Sequence, residues 1–225
     1  MVEQQPLQQP EPQPSEGVPE VLNFGDILSH AFRWGFGQYW RLLLMYLLWA
    51  VTIWIPYLNV GTTIAVSTGA PLLMSRRQRI DPTFIFDRSY RQIMGAWMVC
   101  LVLLLLGVFV AALFLVIPAI VLSIAWCLAP ILLLERGISP TEALRLSEQA
   151  TQGEKWTIFF GLVAVYLLYA IPALIVWWIL QQILPEGAGI TDVIGAIYAI
   201  LAYAGLGAVD TAATGYIYAV LAKRL

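Results

Sequence analysis

Two long stretches without a charged residue, 42–74 and 96–134, constrain this chain more than anything else in it. Each is too long for one bilayer crossing, which takes about 20 apolar residues, and long enough for two crossings joined by a tight turn. Each also carries a helix interrupter near its middle. Ile55-Pro56-Tyr57-Leu58-Asn59 supplies the turn chemistry in the first stretch, and Ile117-Pro118 interrupts the second. The pattern predicts spans at about 40–57, 59–75, 96–116 and 118–134. A fifth span is expected at about 156–180 and a sixth at about 193–221, joined by a linker that contains Pro185, Glu186 and Gly187.

Composition agrees with lipid as the solvent. Of 225 residues 60% are hydrophobic and only 12% charged, too little polar surface for a water-exposed domain of this size. The net charge of -2 gives no footprint for nucleic acid. The 12 Lys and Arg residues all fall on one side of the predicted spans. The three opposite turns hold none, and the longest of them carries only Glu186 and Asp192. By the positive-inside rule the basic side is cytoplasmic, so both termini are expected there and the span count is even. Trp40, Trp97 and Trp156 open three spans where interfacial aromatics belong, with Trp54, Tyr57, Trp177 and Trp178 opposite. Residues 1–20, rich in Gln, Pro and Glu, are expected to form a disordered cytoplasmic tail rather than a signal peptide, ahead of a six-span membrane domain over 21–225.

An internal repeat organises the basic side. Gly37, Gly95 and Gly153 recur at one 58-residue period, each preceded at equal distance by an N-cap residue: Asn23, Asp81 and Ser139. Pro82 and Pro140 follow two of these caps, and Ser139 with Glu142 fits a capping box. Small residues recur at Ala31, Ser89 and Ser147. Each unit, at about 23–80, 81–138 and 139–225, is expected to be a short amphipathic interfacial helix of about three turns, a Gly break, and a transmembrane hairpin. Leu28, Phe32 and Phe36 would share the apolar face of the first such elbow, and Phe86, Tyr90 and Ile93 that of the second. Arg33, Arg88, Arg91 and Arg145 would face headgroups or water. Two spans per unit give parallel repeats, so the expected fold is an all-α, pseudo-threefold six-helix transmembrane bundle.

The stretch Ala129-Pro130-Ile131-Leu132-Leu133-Leu134-Glu135-Arg136-Gly137-Ile138-Ser139-Pro140-Thr141-Glu142-Ala143-Leu144, followed by Ser147, Gly153 and Trp156, resembles the membrane domain of bacterial glycerophosphodiester phosphodiesterases. Related uncharacterised multi-span bacterial families look similar. The motif covers about 30 residues, and Gln152 stands where those families usually have a basic residue. No counterpart of the phosphodiesterase catalytic domain is read in the chain. The resemblance therefore implies a shared module of the bacterial inner membrane and no hydrolase activity.

Candidate chemistry is sparse. His30 is the single histidine, and no His-Glu-x-x-His, Cys-x-x-Cys, P-loop or nucleophile-elbow motif occurs, so no catalytic, metal or cofactor site is expected. Cys100 and Cys127 would sit at depths too different for a disulfide. Asp210 is the oddity: a carboxylate well inside the sixth span, with no deep Lys or Arg to pair with it. Tyr203 and Thr214 share its face at helical spacing. Two readings stand: a carboxyl bonded to Tyr or Thr at a buried contact, or part of a wet cavity or ion site. Small residues, among them Gly207, Ala208, Ala212 and Gly215, mark this span as the close-packed one. The functional expectation is a non-enzymatic scaffold, accessory subunit or lipid-organising protein whose partners are membrane lipids and either other membrane proteins or a second copy. The alternative is a small transporter or channel built on Asp210, and a hydrated cavity lined by that residue would discriminate the two.

Overall fold

A computed structural model describes residues 21–183 and 189–225. The expected tail and the linker residues Pro185, Glu186 and Gly187 lie outside the described residues. Every regular element among the described residues is helical. Four stretches, Met94–Phe114, Val116–Arg136, Lys155–Ile183 and Thr191–Arg224, are long and apolar enough to cross a membrane, compatible with an integral membrane protein.

Helix α1, Phe24–Gly37, leads into α2, Tyr39–Thr52. The chain then turns back through α3, Pro56–Ile64, a π-helical turn at Ala65–Gly69, and α4, Ala70–Ser75. The reversal falls one step earlier than the sequence implied. Pro56 begins the returning helix, where its missing N–H costs nothing, and the Asn59 side chain reaches back to the Thr52 hydroxyl at 3.3 Å. Thr52 and Thr62 share a hydrogen bond at 2.8 Å, and the Trp49 indole donates to Thr63 at 2.9 Å, so this hairpin is closed by polar contacts.

The second elbow departs from a single three-turn helix. A 3-10 turn, Pro82–Phe86, is capped by Asp81, and α5, Arg88–Gln92, is capped separately by Asp87. Two capping acids this close each start a helix, and neither runs on. Next come α6, Met94–Phe114, and α7, Val116–Trp126, with Leu115 extended between them, then α8, Ala129–Arg136, and α9, Pro140–Thr151. Ser139 caps α9 by accepting from the Glu142 N–H at 3.4 Å, while the Glu142 carboxylate lies 3.8 Å from Arg145. The last pair is α10, Lys155–Ile183, and α11, Gly189–Leu221. Of the three periodic glycines only Gly153, at φ 86, breaks the chain in a left-handed conformation. Gly37 still ends a helix, and Gly95 lies inside α6.

The first elbow runs lengthwise beside the last two spans rather than across their ends. Ile27 meets Gly161, His30 stacks on Tyr216 at 4.2 Å, Gly35 lies against Ala208 and Val209, and the Tyr39 hydroxyl donates to the Leu201 carbonyl at 2.9 Å. From Tyr216 to Leu201 is about 22 Å of helix, so α1 lies along the groove between α10 and α11. Its buried stripe is Ile27, Ala31 and Gly35; Leu28, Phe32 and Phe36 form a flank instead. The second elbow packs on α2 and α3, and α9 packs on α6, α7 and α8. Ile85, not Phe86, is its buried anchor.

Burial concentrates at the basic end. The final turns of α4, α8 and α11 carry much of the core, including Met74, Leu132, Leu133 and Ile217. There the Glu135 carboxylate ties the three together, pairing with Arg76 at 2.8 Å and accepting from the Tyr218 hydroxyl. The opposite halves of α6, α10 and α11 expose Leu, Ile, Val and Phe, the surface a lipid solvent would cover.

Candidate functional site

Asp210 lies on α11 at the depth where α1 and α10 also converge. The Tyr166 hydroxyl, from α10, donates to Asp210 Oδ1 at 2.5 Å. One residue on, Thr211 is buried and shares a hydrogen bond with the Tyr46 hydroxyl of α2 at 3.2 Å. Tyr46 and Cys127, the latter at the break between α7 and α8, are within electrostatic reach of the carboxylate. The arrangement sets two phenols and a threonine hydroxyl beside one carboxylate, drawn from α2, α10 and α11. Chemically it can hold a proton between carboxylate and phenol. Asp210 does not line the aromatic groove or the small cavity beside His30 described below.

The face anticipated for Asp210 is only partly used. Tyr203 points outward, 63% exposed, with its ring against Tyr46 at 6.3 Å, and Thr214 is half-buried. Tyr166, its actual partner, comes from the neighbouring span, and periodicity within one helix cannot reveal that. The small residues do bring helices together. A Cβ on Gly207 would strike the Tyr46 hydroxyl, and one on Gly215 would sit 2.7 Å from the Pro71 carbonyl oxygen. Ala208 and Ala212 are buried. Of the basic elbow residues, Arg33, Arg88 and Arg145 are exposed, whereas Arg91 is half-buried with its Cγ against Gly61. Beside it on α5, burial pushes the Tyr90 phenol up to about 12, with the Asp87 carboxylate adding to the shift. Trp40 and Trp156 are exposed as anchors should be, but Trp97 is buried and donates to the Thr68 hydroxyl at 3.0 Å. Both cysteines are free.

No known family model, curated protein or solved structure matches this chain. Its geometry therefore has to carry the functional argument.

A second feature, unforeseen from sequence, is a groove of about 480 Å³ between α1, α10 and α11. Phe36, Tyr39, Tyr169, Pro172, Tyr198 and Leu201 form most of its wall. Its three tyrosine hydroxyls are already committed to backbone carbonyls: Tyr39 to Leu201, Tyr169 to Ala202 at 2.8 Å, and Tyr198 to Ala173. What is left to meet an occupant is mostly ring faces and aliphatic groups. The volume lies within the range of about 300–1,000 Å³ usual for small-molecule sites.

Proposed function

We propose that this chain is a non-enzymatic membrane module that organises lipid, serving as a scaffold or accessory subunit in a bacterial inner membrane with both termini cytoplasmic. The groove of about 480 Å³ carries the reading, because a mostly apolar aromatic wall whose hydroxyls already donate to carbonyls suits an acyl chain better than a polar solute. The engagement of Asp210 by Tyr166 favours a helix-to-helix tie over a transport site.

The reading includes six spans in three parallel repeats. Support comes from the packing order: each elbow lies on the hairpin of the preceding unit, with the first elbow on the last hairpin, as a closed threefold ring requires. In this arrangement the first hairpin is short. Helix α2 has 14 residues, a rise of about 21 Å against a hydrocarbon core of about 30 Å, so the bilayer thins beside it. Local thinning is itself a way of organising lipid. The resemblance of residues 129–144 to a module that accompanies a lipid-related enzyme points the same way.

The test is native mass spectrometry of protein extracted with its surrounding membrane in polymer discs. Lipid retained by the wild type and lost from Ala202→Trp, which fills the groove, is the expected result. A stoichiometric protein partner would identify the accessory role. Equal lipid retention by both proteins would defeat the acyl-chain reading.

A further inference from the structure

On the other flank of α1, His30 and Trp34 face a small cavity completed by Met74, Ser75 and Arg77 at the end of α4 and by Tyr216 of α11. Its volume is about 20 Å³, room for one water-sized group. Tyr216 is 6% exposed, and its hydroxyl has no hydrogen-bond partner among the described residues. A buried hydroxyl left unsatisfied is rare enough to require a reason, and an absent ligand is one. None of the lining residues carries a carboxylate, and the acid within electrostatic reach of Tyr216 is Asp26, one turn before His30 on α1. His30 is fixed in place, stacked on the Tyr216 ring, with Nδ1 3.0 Å from the Asp26 carbonyl oxygen.

Arg77 provides an independent observation. It is the non-glycine residue with a left-handed backbone, at φ 55, among those described. It follows the end of α4, where its N–H and that of Gln78 cap the Met74 and Leu73 carbonyls, both at 3.0 Å. At the corresponding end of α8 the chain uses Gly137, at φ 62. Glycine is the residue that this position favours. Holding an arginine in a conformation that side chains resist is reasonable if the guanidinium has work to do, and here it lines the cavity.

We propose that this cavity is an oxyanion site, taking one oxygen of a phosphate group between the Tyr216 hydroxyl and the Arg77 guanidinium, with the rest of the group at the exposed Arg77 side. A phospholipid headgroup and free phosphate share this chemistry. The site is separate from the acyl-chain groove, since α1 stands between them, and either can fail without the other.

The experiment uses the full chain in phosphate-free maltoside micelles and in lipid nanodiscs, with Arg77→Gly and Tyr216→Phe as variants. Arg77→Gly suits the backbone and removes the charge, so it should be at least as heat-stable as wild type. Tyr216→Phe keeps the ring stack with His30 and removes only the hydroxyl. In the maltoside micelles, inorganic phosphate is titrated by calorimetry. In discs mixing phosphatidylglycerol with phosphatidylcholine, lipid retention is read by native mass spectrometry. Each variant should weaken binding about tenfold, the usual scale for losing a hydrogen bond to a charged group. Saturable phosphate binding lost in both variants would identify a free-oxyanion site. Selective phosphatidylglycerol retention lost in both would identify a headgroup site. Binding in neither the micelles nor the discs, or binding that both variants retain, overturns the proposal and leaves a water-filled cavity.

Discussion

Replacing Gly215 with alanine should destabilise the protein, whereas the same change at Gly61 should not, although both glycines are buried in helices facing another element. At Gly215 the new Cβ would lie 2.7 Å from the Pro71 carbonyl oxygen, 2.9 Å from Met74 Cβ and 3.1 Å from the Ser75 nitrogen. None of these atoms can rotate away, because two are backbone and the third is fixed to it. Restoring an ordinary carbon–oxygen contact of about 3.3–3.6 Å means parting α4 and α11 by roughly 0.6–0.9 Å. A gap of that size forfeits about a quarter to a half of each dispersion contact along the interface. Alanine gains about 1 kcal/mol in helix propensity, and overpacking costs typically about 1–3 kcal/mol, so with every clashing atom fixed to backbone the net loss should be up to about 2 kcal/mol. At Gly61 the atom in the way is Arg91 Cγ, also at 2.7 Å, but on a long side chain that can change rotamer. There the propensity gain should survive. Unfolding of both variants by increasing SDS in mixed micelles measures the difference. If Gly215→Ala proves as stable as Gly61→Ala, the α4–α11 packing argued above is wrong.

Ser147→Ala should cost about 2 kcal/mol in the same assay, because the buried hydroxyl donates to the Ala125 carbonyl at 2.7 Å and accepts from the Leu128 N–H at 3.2 Å, satisfying backbone freed at the α7–α8 break. A cost within error of zero would mean that the break is satisfied otherwise. A double-mutant cycle of Tyr166→Phe with Asp210→Ala should show coupling of about 1–1.5 kcal/mol, while Asp210→Asn, which keeps an acceptor, should fold normally; additive single mutants would rule out the tie. Tyr90 titrates near 12 in the folded chain against 10.0 as its ordinary value, so its contribution to stability is complete below about pH 10 and is lost as pH rises through 12. Ultraviolet titration of wild type against Tyr90→Phe should place the missing phenolate step near 12, and a step near 10 would show the ring to be solvated.

Much of the helical layout was legible because lipid solvation acts on each residue separately. Uncharged runs and their interrupters marked the α6, α7–α8, α10 and α11 segments, and Ser139 capped α9 as its spacing required. Partnerships between helices were not legible. Tyr203 was the natural companion for Asp210 by spacing, yet the packing of α10 against α11 gave that place to Tyr166. Trp97 opened a span like its two counterparts, but a threonine on the π-helical turn drew it inward. The second elbow failed as a single helix because Asp87 competes with Asp81 for the role of cap.

Where the core lies was equally invisible, for a physical reason. Against lipid an apolar side chain gains nothing by facing another helix, so hydropathy cannot distinguish a packed face from a bare one. Packing must then be driven where water reaches, at the basic end, and by groups that hydrocarbon rejects. Both occur here: Met74, Leu132 and Ile217 are buried around the Glu135 tie, and Asp210, Thr211, Tyr46 and Tyr166 pair off at the inner limit of that core. Beyond that limit α6 and the far halves of α10 and α11 expose their aliphatic side chains, α10 and α11 stay in touch through Trp177 and Tyr198, and the groove beside Tyr169 opens on the side of α1. The acyl chain proposed for that space would supply dispersion contacts to the aromatic and aliphatic groups that line it.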